Sequence, residues 1–155
     1  MNVIFLDIDG VLNCTSSFGK GTNHSCWVID PLLVARLNRI VENVDDLTIV
    51  LSSSWRYAEA KKQIDINALL REQGFIGNPV VERTVLDNER VEDGFENRGD
   101  EIQLWLTNHP EVERFVILDD DDDMCHLMDH LVQTSFENGG LLAEHVDETI
   151  KILKG

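Results

Sequence analysis

The sequence predicts an α/β domain of three layers, a parallel central sheet covered by helices on both faces. Three observations carry that expectation. The runs Val3-Ile4-Phe5-Leu6, Leu47-Thr48-Ile49-Val50-Leu51 and Phe115-Val116-Ile117-Leu118 are short and apolar almost throughout, the pattern of strands buried on both faces. Stretches with helical spacing of apolar residues lie between them, as parallel crossovers require. Each run ends in polar residues, at the sheet edge where such folds bind ligands. At 155 residues the expectation is one domain, residues 1–155.

Taken in order, the first strand stops at Asp7 and a turn containing Gly10. Residues 13–29 lack periodicity and read as an irregular excursion. Asp30-Pro31 supplies an N-cap and a proline for the first helical position. Leu33, Leu37, Ile40, Val41 and Val44 follow at helical spacing, so residues 31–43 are expected to be a helix. The second strand ends in Ser52-Ser53-Ser54. Residues 57–73 read as helix, broken near Ile64 and Asp65, and residues 80–85 as a short strand. Residues 86–97 are polar and acidic and read as loop. A helix opens near Arg98 with Ile102, Trp105 and Leu106 on one face, and the third apolar run leads into five consecutive aspartates, residues 119–123. Residues 131–134 read as a further strand, and Leu142, Val146, Ile150 and Leu153 place a closing helix on the core.

The net charge is −16, and it is lopsided. Residues 1–78 carry 7 basic and 9 acidic side chains, and residues 79–155 carry 6 and 20. Such a charge repels polyanions, which excludes general coating of nucleic acid but not a local phosphate or cation pocket. No apolar run reaches the length of a membrane span. Three cysteines, Cys14, Cys26 and Cys125, make an odd number without framework spacing, and no secretory leader precedes the first strand, so the expected compartment is the cytoplasm. With His24 and His126 these cysteines match no common zinc spacing. An EF-hand starting at Asp7 fails, because its twelfth position is Phe18.

Asp7/Asp9, Ser52/Ser53 and Asp119/Asp120 therefore deliver oxygen ligands to one rim. Carboxylates gathered on one spot cannot all stay ionised without compensation. A hard cation with oxygen ligands supplies it, and Mg²⁺ suits a site of one or two carboxylates plus a substrate phosphate. An aspartate in such a site can attack phosphorus.

These residues also resemble a known family. Asp7-Ile8-Asp9-Gly10-Val11-Leu12 after an apolar strand resembles the first signature of the haloacid dehalogenase-like (HAD) phosphohydrolase superfamily. Ser52 at a strand end, Arg98 opening a helix 21 positions before Asp119, and Val116-Ile117-Leu118-Asp119-Asp120 resemble the other three, in the right order. Leu51-Ser52-Ser53-Ser54-Trp55-Arg56 and Arg98-Gly99-Asp100-Glu101-Ile102 are similar to the small HAD domain of Swiss Army knife RNA-repair-type proteins.

The resemblance implies a Rossmann-like HAD fold and a Mg²⁺-dependent phosphomonoesterase. Asp7 would be nucleophile and metal ligand, and Asp9 the general acid and then base, with its backbone carbonyl on the metal. Ser52, Ser53 and Arg98 would bind phosphate. Asp120 would be the further metal ligand, with Asp119 behind it and Asp123 supporting a water on the metal. Only 42 residues separate Asp9 from Ser52, so it implies a capless or minimally capped member with residues 13–29 as a flap. An open rim suits a phosphorylated substrate such as a nucleic-acid end or a nucleotide.

The alternatives are a nucleotidase or small-metabolite phosphatase of the same mechanism, and a non-catalytic phosphate- or metal-binding module. A receiver-like domain would not need Asp9. Ser52 and Ser53 compete for the main phosphate contact, and Arg56 for a phosphate contact or a surface ion pair. Trp55 and Trp105 read as core. Oligomeric state is not legible.

Overall fold

Strand β1 (Asn2–Leu6) forms the centre of a five-stranded, all-parallel sheet of order β3-β2-β1-β4-β5. Its neighbours are β2 (Leu47–Leu51) and β4 (Arg114–Asp119), with β3 (Glu82–Arg83) and β5 (Leu131–Gln133) at the edges. This is a computed structural model, and it describes residues 1–18, 27–86 and 97–155. The fold is the layered α/β architecture with a parallel central sheet that the sequence predicts.

The strands are apolar throughout because both faces are covered. Ile4, Leu6, Ile49, Leu51, Val116 and Leu118 point to one face and join Leu33, Val34, Leu37 and Ile40 of α1 (Pro31–Asn43), Ile66 and Leu70 of α3 (Ile66–Glu72) and Val146 and Leu153 of α5 (Ala143–Lys154). Val3, Phe5, Val50 and Ile117 point to the other and join Ile102 and Trp105 of α4 (Arg98–Thr107) with Met124 and Leu127. This two-residue alternation is the pleat itself. Phe5 meets Trp105 edge-on at 5.4 Å, a favoured aromatic geometry.

Local signals set the helix bounds. Asp30 accepts from the Leu32 N–H at 2.9 Å and Pro31 stands at the first helical position, so α1 starts as read. The expected helix over 57–73 is two helices. The first, α2 (Trp55–Ala60), begins earlier because the Ser53 hydroxyl accepts from the Trp55 N–H at 3.1 Å. The break falls where expected: Asp65 caps α3 by accepting from the Ala68 N–H at 3.1 Å. The strand read over 80–85 shrinks to Glu82–Arg83, because the Asn67 amide takes both backbone groups of Val80, at 2.7 and 2.9 Å, and holds it to α3.

Two further features position the site. The chain steps outward from β1 to β2 and β3, then returns to β4 on the other side of β1. The crevice above β1 and β4 is thus the switch point of the sheet, where ligands bind in open α/β folds. The ladder also runs one rung past the strands. Asp7 N–H donates to Leu118 O at 3.0 Å, Ser52 N–H to Leu6 O at 2.8 Å and Thr134 N–H to Asp119 O at 3.0 Å. Asp7, Ser52 and Asp119 therefore leave the sheet at one level.

The excursion over 13–29 is drawn together at its base, where Asp30 N–H donates to Leu12 O at 2.8 Å and the Asn13 amide to Val28 O at 2.9 Å. Its described part includes a 3-10 turn at Thr15–Phe18. The remainder of the expected flap, residues 19–26, and residues 87–96 of the expected loop lie outside the described residues.

Candidate active site

Asp7 is the first residue beyond the central strand and is 7% exposed. Its Oδ1 accepts from the Ile8 N–H at 2.9 Å. Across the switch point, Asp119 ends β4 and is 1% exposed, with Oδ1 accepting from the Asp121 N–H at 3.0 Å. One carboxylate oxygen each from Asp7, Asp119 and Asp120 lies within 4.8 Å of the others, and this is the acidic group of metal-binding geometry among the described residues.

Such crowding has an electrostatic cost. Burial, then the neighbouring Asp119 charge, pushes the Asp7 carboxyl up to about 9, and Arg98 offsets only part of this. Burial likewise raises Asp119 to about 6 against the lowering effect of Arg98. The guanidinium that compensates them belongs to the first residue of α4: Arg98 Nε lies 3.5 Å from Asp119 Oδ2, and a terminal nitrogen lies 4.0 Å from Asp7 Oδ1. Asp119 Oδ2 nonetheless has no hydrogen-bond partner among the described residues. Three hard oxygens with excess negative charge and an unsatisfied buried acceptor fit a divalent cation such as Mg²⁺.

Gly10 makes room for this arrangement. Its φ is +82°, and a Cβ there would stand 2.3 Å from Asp120 Oδ2. The Thr134 hydroxyl fixes the same turn by donating to Gly10 O at 2.6 Å. Arg98 is brought in by a second close approach. A Cβ on Gly99 would lie 2.3 Å from Met124 O, so only glycine lets α4 lie this close to the segment after β4. Asp123 anchors that helix start, its carboxylate accepting from Arg98 N–H at 3.2 Å and its carbonyl from Gly99 N–H at 3.1 Å. The Asp123 side chain is exposed and turned to the helix.

Asp9 is exposed and its carboxylate is not in the metal-type cluster. Its Oδ1 accepts from Asn13 Nδ2 at 2.9 Å and its Oδ2 from Trp55 Nε1 at 3.1 Å. Ser52 is 1% exposed, and its hydroxyl has no partner among the described residues. A buried hydroxyl left unpaired costs free energy unless a ligand takes it. Ser53 is as deeply buried, but its hydroxyl already serves Trp55.

Arg56 is neither a phosphate contact nor a surface ion pair. It is 2% exposed, pairs with the buried Glu101 of α4, and donates to Ser53 O and Val85 O at 2.9 Å each. Sequence reading missed two residues that hold Asp9. Asn13 carries a weak signal, an amide four positions after Asp9 in a tight turn, where it also accepts from Gly10 N–H at 3.0 Å. Trp55 is core as read, yet its polar edge meets Asp9, and nothing in its spacing announces that.

No helix of the described residues is long and apolar enough to cross a membrane. No curated protein and no solved structure matches the chain. A family model does, over residues 3–146, which span every element from β1 into α5. With its signature residues gathered at the switch point, the chain belongs to the family described as the HAD domain in Swiss Army Knife RNA repair proteins.

Proposed function

We propose that this protein is a Mg²⁺-dependent phosphomonoesterase that works through an aspartyl-phosphate on Asp7 and acts on terminal phosphates of nucleic acid. Membership of a HAD family already implies phosphatase-type hydrolysis in general. The observation that carries the finer reading is the buried Asp7 carboxylate, set between the Asp119/Asp120 oxygens and the Arg98 guanidinium. That site has places for a cation and for an anion side by side.

In this reading Asp7 and Asp120, with the Asp9 backbone carbonyl, would hold Mg²⁺, with Asp119 against them. Bound there, the cation would neutralise phosphoryl oxygens and orient them toward Asp7. Ser52 donates its unpaired hydroxyl to one phosphoryl oxygen, Ser53 supports it, and Arg98 neutralises charge. The Asp7 oxygen forms a bond to phosphorus as the ester bond breaks, and Asp9 gives its proton to the leaving oxygen. Asp9 then takes a proton from water as the water oxygen bonds to phosphorus and Asp7 departs, releasing phosphate. Asp9 is exposed, as a group meeting a large leaving group must be. Asp123 holds the helix that carries Arg98.

Two observations support the substrate class. The family is described as the HAD domain in Swiss Army Knife RNA repair proteins, which favours a nucleic-acid end. Asp121, Asp122 and Asp123 are exposed beside the site and disfavour a long polyanion track, which suits a single end phosphate.

The test is hydrolysis of p-nitrophenyl phosphate by wild type and Asp7→Asn, each with Mg²⁺ and with EDTA. Activity requiring both Mg²⁺ and Asp7 is expected. Turnover that survives exhaustive chelation, or that Asp7→Asn retains, rejects the mechanism. A 3′-phosphorylated oligonucleotide should then outcompete free nucleotides, and the reverse order would favour a nucleotidase.

A further inference from the structure

Asp9 receives one donor on each oxygen, and the two donors have different origins. Asn13 belongs to the same turn as Asp9, and its amide is committed to Gly10 and Val28 besides. Trp55 comes from the other side of the crevice, from the start of α2 immediately after the Ser52–Ser53 turn. Its indole offers a single N–H and no acceptor, so it can meet Asp9 in only one orientation.

That orientation is held on several sides. The Trp55 backbone N–H is bound by the Ser53 hydroxyl at 3.1 Å. The ring is 2% exposed, and Trp27 packs edge-on against it at 5.1 Å and 84°. The indole is thus a rigid arm from the serine turn to an otherwise exposed carboxyl group.

We propose that Trp55 is a positioning residue for proton transfer by Asp9, its indole N–H fixing the carboxyl in the orientation that meets the leaving oxygen. This rests on the phosphatase reading above. A carboxyl group has about four lone-pair sites, so Asp9 accepts both N–H groups and still carries the proton it donates. Without the indole N–H, only Asn13 among the described residues restrains the side chain, and the acid spends less time aligned. Trp55 touches neither substrate nor phosphorus in this scheme. It also ties the acid to the phosphate-binding turn, so the two move as one unit.

Trp55→Phe keeps an aromatic ring and removes the N–H. The decisive comparison is kcat/KM on two esters, because protonation matters for an alkoxide leaving group and little for nitrophenolate. On methyl phosphate Trp55→Phe should lose on the order of tenfold, part of the 10²–10⁴ that a general acid gives. On p-nitrophenyl phosphate the loss should stay within about twofold. A merely structural role would lower both equally. Equal losses, or none, with wild type active and Asp7→Asn inactive, overturn the role of Trp55 and leave the phosphatase reading intact. Wild type inactive on both esters and on a 3′-phosphorylated oligonucleotide, or Asp7→Asn as active as wild type, overturns both.

A second measurement does not depend on that variant folding. In ¹⁵N-labelled protein the Trp55 indole N–H resonance, identified with Trp27→Phe and Trp105→Phe, should move upfield in Asp9→Ala. An unchanged resonance would mean that the hydrogen bond is not formed, and the proposal falls.

Discussion

Arg56 of α2 and Glu101 of α4 form an ion pair in which the side chains are 3% and 8% exposed. The pair ties the helix after the serine turn to the helix that brings Arg98. Breaking a buried pair from one side leaves a charge in the interior, at a cost of about 3–5 kcal/mol. Arg56→Ala should lower stability by that order in urea unfolding. Adding Glu101→Leu should recover only part of it, since Ser53 O and Val85 O also lose their donor. A double-mutant cycle with no coupling between the two sites would contradict the pairing.

The Asp7–Asp119 cluster makes stability depend on pH in a definite direction. Both folded carboxyls are raised above their ordinary 3.8, to about 9 and about 6. The native state therefore binds protons more readily than the unfolded chain. This contribution is fully present below pH 3.8 and is lost as pH rises through 6 and then 9. In EDTA the Tm should fall between pH 5 and 9. Mg²⁺ should raise it, with a gain that widens as pH rises, because protons no longer compete for the oxygens. Scanning calorimetry at five pH values checks this, and Asp7→Asn should abolish the widening. A flat Tm in EDTA would contradict the crowding.

Ser52 separates stability from function. Its hydroxyl is buried without a partner, so Ser52→Ala removes an unsatisfied group and should change stability by no more than about 0.5 kcal/mol. A hydrogen bond to charged phosphate is worth roughly 1.5–3 kcal/mol, so kcat/KM should fall by about 10- to 100-fold. Thermal melts and steady-state kinetics on the same preparation decide it. A large loss of stability would show that the hydroxyl serves the fold.

Gly10 and Gly74 offer a controlled comparison. Both have positive φ, +82° and +92°, but a Cβ on Gly10 would stand 2.3 Å from Asp120 Oδ2, whereas one on Gly74 meets nothing within 4 Å. Gly74→Ala should show only the backbone cost of about 1 kcal/mol. Gly10→Ala must also displace Asp120, so the Tm gain on adding Mg²⁺ should shrink by more than half for Gly10→Ala and stay intact for Gly74→Ala. Equal gains would remove Asp120 from the cation site.

The strands were legible because burial on both faces leaves an apolar run, and Asp7, Ser52 and Asp119 were legible because they stand where those runs stop. The shortness of β3 was not, since it depends on Asn67 taking the backbone of Val80. Arg56 could not be read either, because its partner lies 45 residues away and only packing of α2 near α4 brings them together. Trp55 shows the same limit within one side chain. Its apolar body announced the core, whereas the direction of its N–H is set by how β2 and the Asp9 turn meet.

The hydrogen bond from Asp30 to Leu12 closes the base of the excursion between β1 and α1. Both ends of the excursion reach the site: Asn13, one residue past Leu12, holds Asp9, and Trp27 packs on Trp55. Lengthening such a segment costs little, about 0.6 kcal/mol per doubling of a flexible loop. Changes of length between residues 18 and 27 that spare Asn13 and Trp27 should therefore leave both contacts in place. A foreign segment grafted between Asn13 and Trp27, with both residues kept, thus changes what the excursion presents while the partners of Asp9 stay in place.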